Sequence, residues 1–217
     1  MATNKTYAVF GLGRYGRAVA TQLVKDGEEV LAVDVDENKV NDAIEYIPVC
    51  RCADVTDEYF IEQLGIADFD VVIIAMGGNL EASVMATMLC KEAGVNNVIV
   101  KCSNNMHKKI LARVGADKVV FPENESGIRL AKNLVSAGFV DVIELSEKVS
   151  MLETDVRDEW VGKNLIELNL RKKYSINVVA IKKDYEVRCD LAPSAPLEEN
   201  TKLIVIADKD RLKGLQK

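Results

Sequence analysis

Three glycines spaced as Gly11-Leu12-Gly13-Arg14-Tyr15-Gly16 are the residues of this sequence best suited to holding a phosphate. Each has its own physical use. Gly11 permits a tight turn, Gly13 lets the backbone approach a phosphate, and Gly16 allows a helix to lie close on a strand. A helix opening at this point offers free N–H groups and the positive end of its dipole to an anion. Asp34 follows about 20 residues later, the spacing at which a carboxylate accepts from ribose hydroxyls and repels a 2′-phosphate. Three further groups each carry two readings. Arg14 either pairs with terminal phosphates, on its own subunit or across a dimer, or is a solvated surface arginine. Asp54 either reads an adenine edge or caps a helix. Lys101 either meets a phosphate or is simply exposed.

Groups suited to other chemistry are sparse. The single histidine, His107, sits in Asn105-Met106-His107-Lys108-Lys109, a polar stretch that favours solvation over catalysis. There is no Tyr-x-x-x-Lys, no G-x-S-x-G and no G-x-x-x-x-G-K-[ST]. Nothing in the sequence marks a general acid poised near neutral pH, so no catalysed reaction is expected. Cys50 and Cys52 read as alternate residues of one strand pointing the same way, and no second cysteine pair or histidine completes a tetrahedral metal set.

The formal charge of −6 and the pI near 5.0 argue against a duplex-binding surface, which needs clustered Lys and Arg, so no nucleic-acid partner is expected. The longest strongly apolar stretch, Val71 to Met76, falls far short of the ~20 residues that span a bilayer. The start, Met1 to Thr6, has no apolar signal core, and five cysteines, an odd number, suit reduced thiols in a cytosolic compartment.

The elements that must position these groups alternate. Strand-like runs at Thr6–Phe10, Glu29–Val33, Val49–Ala53, Asp70–Met76, Val98–Lys101 and Lys118–Phe121 are separated by helical patterns. Helix signals include Gly27, Gly94 and Gly115 as stops, Pro48 after Ile47, and Thr56 as the cap of a short helix carrying Phe60, Ile61 and Leu64. This order predicts an α/β fold with a Rossmann-like, doubly wound parallel sheet. Gly77-Gly78-Asn79 follows the fourth strand at the carboxyl edge, where such sheets place ligands. One more helix is expected at about Asn124–Ala137. Beyond it come short strands at Val142–Leu145, Val149–Val156, Ile176–Lys182, Glu186–Cys189 and Leu203–Ala207. One helix near Leu165–Leu170, a loop at Pro193–Pro196 and a last helix after Asp208 complete a small α+β domain. The expected division is 1–137 and 138–217.

These residues resemble the RCK (regulator of potassium conductance) family over essentially the whole chain, and within it the KtrA/TrkA-type cytosolic subunits of bacterial potassium uptake systems. The resemblance rests on Ala8–Gly16, Val33-Asp34, Ala53-Asp54-Val55-Thr56-Asp57 and Gly115–Glu123 for the RCK N-domain. For the C-domain it rests on Leu165–Tyr174 and Ile176–Ile181. It implies a regulatory, non-enzymatic subunit that senses ATP or ADP, or NAD(H) in some members. Such a protein is cytoplasmic and peripheral to the membrane through a membrane-embedded potassium channel subunit. It implies a homodimer formed by exchange of the helix at about 124–137, assembling into an octameric ring. By resemblance Gly11, Gly13, Arg14, Asp34, Asp54 and Lys101 contact the nucleotide. Leu12, Tyr15, Gly16, Val35, Ala53 and Asn79 lie along the same cleft. Glu123 helps hold Mg or another cation near the phosphates, and Arg171 and Asn177 match positions that hold cyclic di-AMP.

The sequence departs from the family pattern at Ala53 and Ala207, where relatives commonly have glycine, and in the turn Glu199-Asn200-Thr201-Lys202. Two rival readings share the Rossmann core. A small NAD-dependent oxidoreductase needs a proton-transfer residue that is not found. An NAD(H)-responsive transcriptional regulator needs a basic DNA-reading element for which an acidic chain leaves no room.

Overall fold

Alternation of side chains along one short strand already dictates a sheet covered on both sides. In β1 (Thr6–Phe10), Ala8 and Phe10 enter one hydrophobic cluster while Val9 enters another. The computed structural model describes residues 5–135, 139–146, 148–184 and 186–208. By contacts the chain forms two units, 1–124 and 125–217.

In the first unit β1 is followed by α1 (Arg14–Lys25), β2 (Glu29–Asp34), α2 (Glu37–Ala43), β3 (Val49–Cys52) and α3 (Glu58–Gln63). Next come β4 (Val71–Ile74), α4 (Leu80–Glu92), β5 (Val98–Lys101), α5 (Asn105–Val114) and β6 (Lys118–Val120). The strands form one sheet in the order β3-β2-β1-β4-β5-β6, every pair parallel. Chain order reverses between β1 and β4, which places a cleft outside the carboxyl ends of these two strands. β4 is buried at all four positions, as a strand with helices on both faces must be. One cluster joins Phe10, Val33, Ile74 and Val100, and the other joins Val9, Ala32, Ile73 and Leu12. This is the doubly wound sheet that the sequence predicts.

Local differences have local causes. The cap of α3 is Asp57, whose carboxylate accepts from the Tyr59 N–H, and not Thr56. Thr56 instead donates to Asp54 through both its N–H and its hydroxyl. Gly27 stands just past the end of α1 at φ +87, the left-handed conformation that glycine adopts without strain.

α6 (Pro122–Val135) begins before the expected start at residue 124. The division by contacts falls between residues 124 and 125, inside this helix, and not after residue 137. Residues 123–131 of the helix are exposed, Leu130 at 60%, as is Leu134 at 77%.

The second unit holds β7 (Phe139–Glu144), β8 (Val149–Asp155), α7 (Leu165–Leu168), α8 (Leu170–Tyr174), β9 (Ile176–Lys183), β10 (Glu186–Arg188) and β11 (Thr201–Asp208). Its antiparallel sheet runs β10-β9-β11-β8-β7. Leu152, Leu203, Val205 and Ile176 form its core with Trp160 and Leu170. The single helix expected near Leu165–Leu170 is two short helices, because Asn169 turns left-handed at φ 47 between them. The Pro193–Pro196 loop is tied down by the bridge between Asn164 and Pro196. The helix expected after Asp208 lies outside the described residues.

Candidate functional site

The glycine turn is held by contacts that only glycine allows. Gly11 adopts φ +96 and donates its N–H to the Val33 carbonyl at 2.7 Å. A Cβ on Gly11 would stand 2.9 Å from the Met76 side chain. At Gly16 a Cβ would lie 1.9 Å from the Gly11 carbonyl oxygen, so α1 can approach β1 only with no side chain there. Gly13 differs from both: nothing lies within 4 Å of a Cβ placed on it. Its bareness leaves space for something outside the fold.

Gly13 is also the N-cap of α1, with no side-chain cap and no acid in the first turn. The helices that follow are closed differently. Asp36 caps α2, Asp57 caps α3, Asn79 caps α4 and Asn104 caps α5, each accepting from a first-turn N–H. The α1 terminus therefore has a positive dipole end with neither a side-chain cap nor a first-turn acid of its own. Arg14 is exposed at the first position of α1, and its charge helps hold the Glu123 carboxyl below its usual range. A phosphate fits this place by geometry and by sign.

Asp34 ends β2 with 7% exposure and does more than the sequence indicates. Its Oδ2 accepts from the Leu12 N–H at 2.6 Å, and its Oδ1 accepts from the Asp36 N–H at 2.9 Å and from Lys39 Nζ at 3.3 Å. Burial pushes its pKa up, but the Asp36 and Leu12 amides and the Lys39 ammonium outweigh burial and hold it below the ordinary value. The carboxylate thus ties the second strand to the phosphate turn. Lys39 Nζ also lies 3.5 Å from Oδ2, so the about four lone-pair sites of the ionised carboxylate are all engaged, and a hydroxyl would bond here in place of the Lys39 ammonium. Leu12, the residue tethered, is itself buried in the core at 1%.

Beside Asp34 the cleft edge is open. Val35 is 69% exposed, and Cys52, paired with Asp34 in register, donates its thiol to the Val35 carbonyl at 3.5 Å. Ala53 donates its N–H to the Asp34 carbonyl. Asp54 is engaged locally, accepting from Thr56, and these bonds lower its pKa. It does not cap α3. Asn79 caps α4 by accepting from Ala82, a role the sequence reading did not give it.

Across the cleft, Lys101 and Glu123 meet although they were expected to serve separate ligands. Lys101 Nζ lies 2.6 Å from Glu123 Oε1 and 5.6 Å from the centroid of the Tyr15 ring. The bond to Lys101 is the main cause that lowers the Glu123 pKa. Among the described residues no group of three His, Cys, Asp or Glu side chains could hold a metal ion. A cation at Glu123 would therefore take its other oxygens from phosphates and water, as Mg commonly does. His107 packs its Nδ1 against Ser103 Oγ at 2.9 Å on α5. Arg171 and Asn177 lie in the second unit, both exposed, on α8 and at the start of β9.

The sequence reading missed Lys39 and the Tyr15–Lys101 contact. The signal for Lys39 was its position one turn into the helix after Asp34. No local signal marks the second, in which the Lys101 side chain at the end of β5 reaches the Tyr15 ring on α1.

Fold and site together define a Rossmann-type nucleotide-binding unit joined to a small antiparallel domain. The TrkA-N domain family matches residues 7–122 and the TrkA-C domain family matches residues 153–217, and the chain belongs to this TrkA-N/TrkA-C family. It is 38% identical to the Ktr system potassium uptake protein C of Bacillus subtilis, over 98% of this chain and 96% of that protein. With the Ktr system potassium uptake protein A of the same organism it shares 36% identity over the same fractions. Among solved structures, the GsuK channel matches 99% of this chain at a TM-score of 0.70 and 16% identity. The GsuK channel bound to NAD matches 97% at 0.51 and 20%. The chain spans about two fifths of those channel chains, 39% and 37%, and the likeness is one of fold. Among the described residues no helix is long and apolar enough to cross a membrane.

Proposed function

We propose that this protein is a nucleotide-sensing regulatory subunit of a potassium uptake system and catalyses no reaction of its own. The observation that carries the reading is the α1 terminus. Alone among the α-helices α1–α5 it is left without a side-chain cap, its Gly13 faces open space, and Arg14 and Lys101 stand beside it. The Ktr relatives supply the potassium context by name.

In this reading the turn Gly11–Gly16 and the N–H groups of α1 bind phosphates, and Asp34 orders the turn while facing the ribose. Val35, Ala53 and Asp54 border the adenosine. ATP and ADP are the favoured ligands, because Arg14 and a cation beside Glu123 give a third phosphate partners that a diphosphate lacks. NAD(H) is the alternative occupant of the same cleft. Nucleotide identity shifts the protein between conformations only by the difference in affinity for them. The exposed Ile128, Leu130 and Leu134 of α6 suit a homodimer, and further assembly to an octameric ring would meet a membrane-embedded potassium channel subunit at the cytoplasmic face. Arg171 and Asn177 are proposed to bind cyclic di-AMP in the second unit.

A thermal-shift titration of the purified protein with ATP, ADP and NADH tests the reading. Saturating stabilisation by at least one of them is expected. No shift with any of the three at millimolar concentration contradicts it.

A further inference from the structure

The pairing of Lys101 with Glu123 has a physical consequence for the cleft. Lys101 ends β5, Glu123 stands in the first turn of α6, and the two are 22 residues apart in sequence. The Lys101 side chain is 17% exposed and that of Glu123 is 63% exposed. The lysine stem is held by the fold: a Cβ on Gly77 would already lie 3.3 Å from it. Its ammonium also lies over the ring of Tyr15, the second residue of α1. The cation is thus fixed beside the uncapped helix terminus, while the acid that neutralises it is exposed and bonds otherwise to its own backbone N–H.

We infer that Glu123 is an internal competitor of the ligand, a carboxylate that occupies Lys101 when the phosphate site is empty and is displaced when a phosphate arrives. The inference rests on the nucleotide-binding reading above and deepens it. Magnitudes favour exchange. An ion pair with one partner largely in water contributes about 0–1 kcal/mol, so it yields to a doubly charged phosphate that also gains the α1 amides. Displacement leaves a free carboxylate in the first turn of α6, the helix inside which the two units divide. That carboxylate is then available to a cation that neutralises phosphate. Lys101 is the phosphate contact, and Glu123 is a positioning residue whose effect on affinity changes sign with the cation supply.

Calorimetric titration of ADP in EDTA tests this with wild type, Glu123→Gln, Lys101→Met and the double variant. Glu123→Gln should bind ADP about fivefold more tightly than wild type, or roughly 1 kcal/mol, because Lys101 is no longer occupied. Lys101→Met should bind about tenfold more weakly. The double variant should match Lys101→Met, since Glu123 then has nothing to withhold. Glu123→Gln keeps its shape at an exposed position, and Lys101→Gln replaces Lys101→Met if the latter does not fold. Unchanged or weaker ADP binding by Glu123→Gln, with wild type binding normally, overturns the competitor alone. Absence of ADP binding by wild type overturns it together with the reading beneath it.

Discussion

Helices α1 and α4 start from the same edge of the sheet, after the adjacent strands β1 and β4, yet their termini are finished in opposite ways. α4 is closed by Asn79, which accepts from Ala82, and its first turn carries Glu81. α1 begins at a bare Gly13 with Arg14 next to it and no acid. At α4 the protein answers its own amides. At α1 it supplies no such cap and places positive charge where α4 carries negative. This difference is the observation on which the proposed anion site at the glycine turn rests.

The strongest way to break the comparison is to close the approach of α1 to β1. Gly16→Ala places a methyl where 1.9 Å separates it from the Gly11 carbonyl, so helix or turn must move. We expect a loss of about 3 kcal/mol in stability, at the upper end for overpacking, and loss of nucleotide binding. Chemical denaturation and titration of the same sample check both. The opposite terminus should respond in a different currency. Asn79→Ala removes a cap and should cost about 1 kcal/mol in denaturant unfolding. An unchanged midpoint would show that Asn79 is not the closure of α4.

How much of this was legible follows from what each feature needs. The six parallel strands and the steric roles of Gly11 and Gly16 were readable, because periodicity and a motif of fixed spacing are local. The cap of α3 was misread between Thr56 and Asp57, two adjacent residues that are both good caps. The left-handed break at Asn169 was missed because a helical stripe runs through it. Lys101 and Glu123 were each singled out, but their meeting depends on the parallel pairing of β5 with β6, which no short window encodes. Likewise the turn of Asp34 onto the Leu12 amide needs β2 beside β1.

The smallest expected effect concerns that carboxylate. The folded pKa of Asp34 lies below its ordinary value of 3.8. Its contribution to stability is therefore present above that value and is lost as pH falls through the folded pKa. Asp34→Asn should flatten the acid side of the stability–pH curve below about pH 5, where wild type declines. Parallel acid limbs for the two proteins, measured by denaturation at stepped pH, would show that the Leu12 and Asp36 amides do not favour the charged form.

Gly13→Asp makes the α1 terminus resemble α4, and its calorimetric titration with ATP, ADP and NADH beside wild type is the most direct measurement. Gly13 has φ −67 and ψ −177 and faces open space, so an aspartate fits and caps the helix, with stability equal to wild type or higher by a few tenths of a kcal/mol. Nucleotide affinity should fall more than about tenfold, because the new carboxylate takes the amides and repels phosphate. Wild-type affinity in a folded Gly13→Asp protein would contradict the claim that the uncapped end of α1 is where this protein grips its ligand.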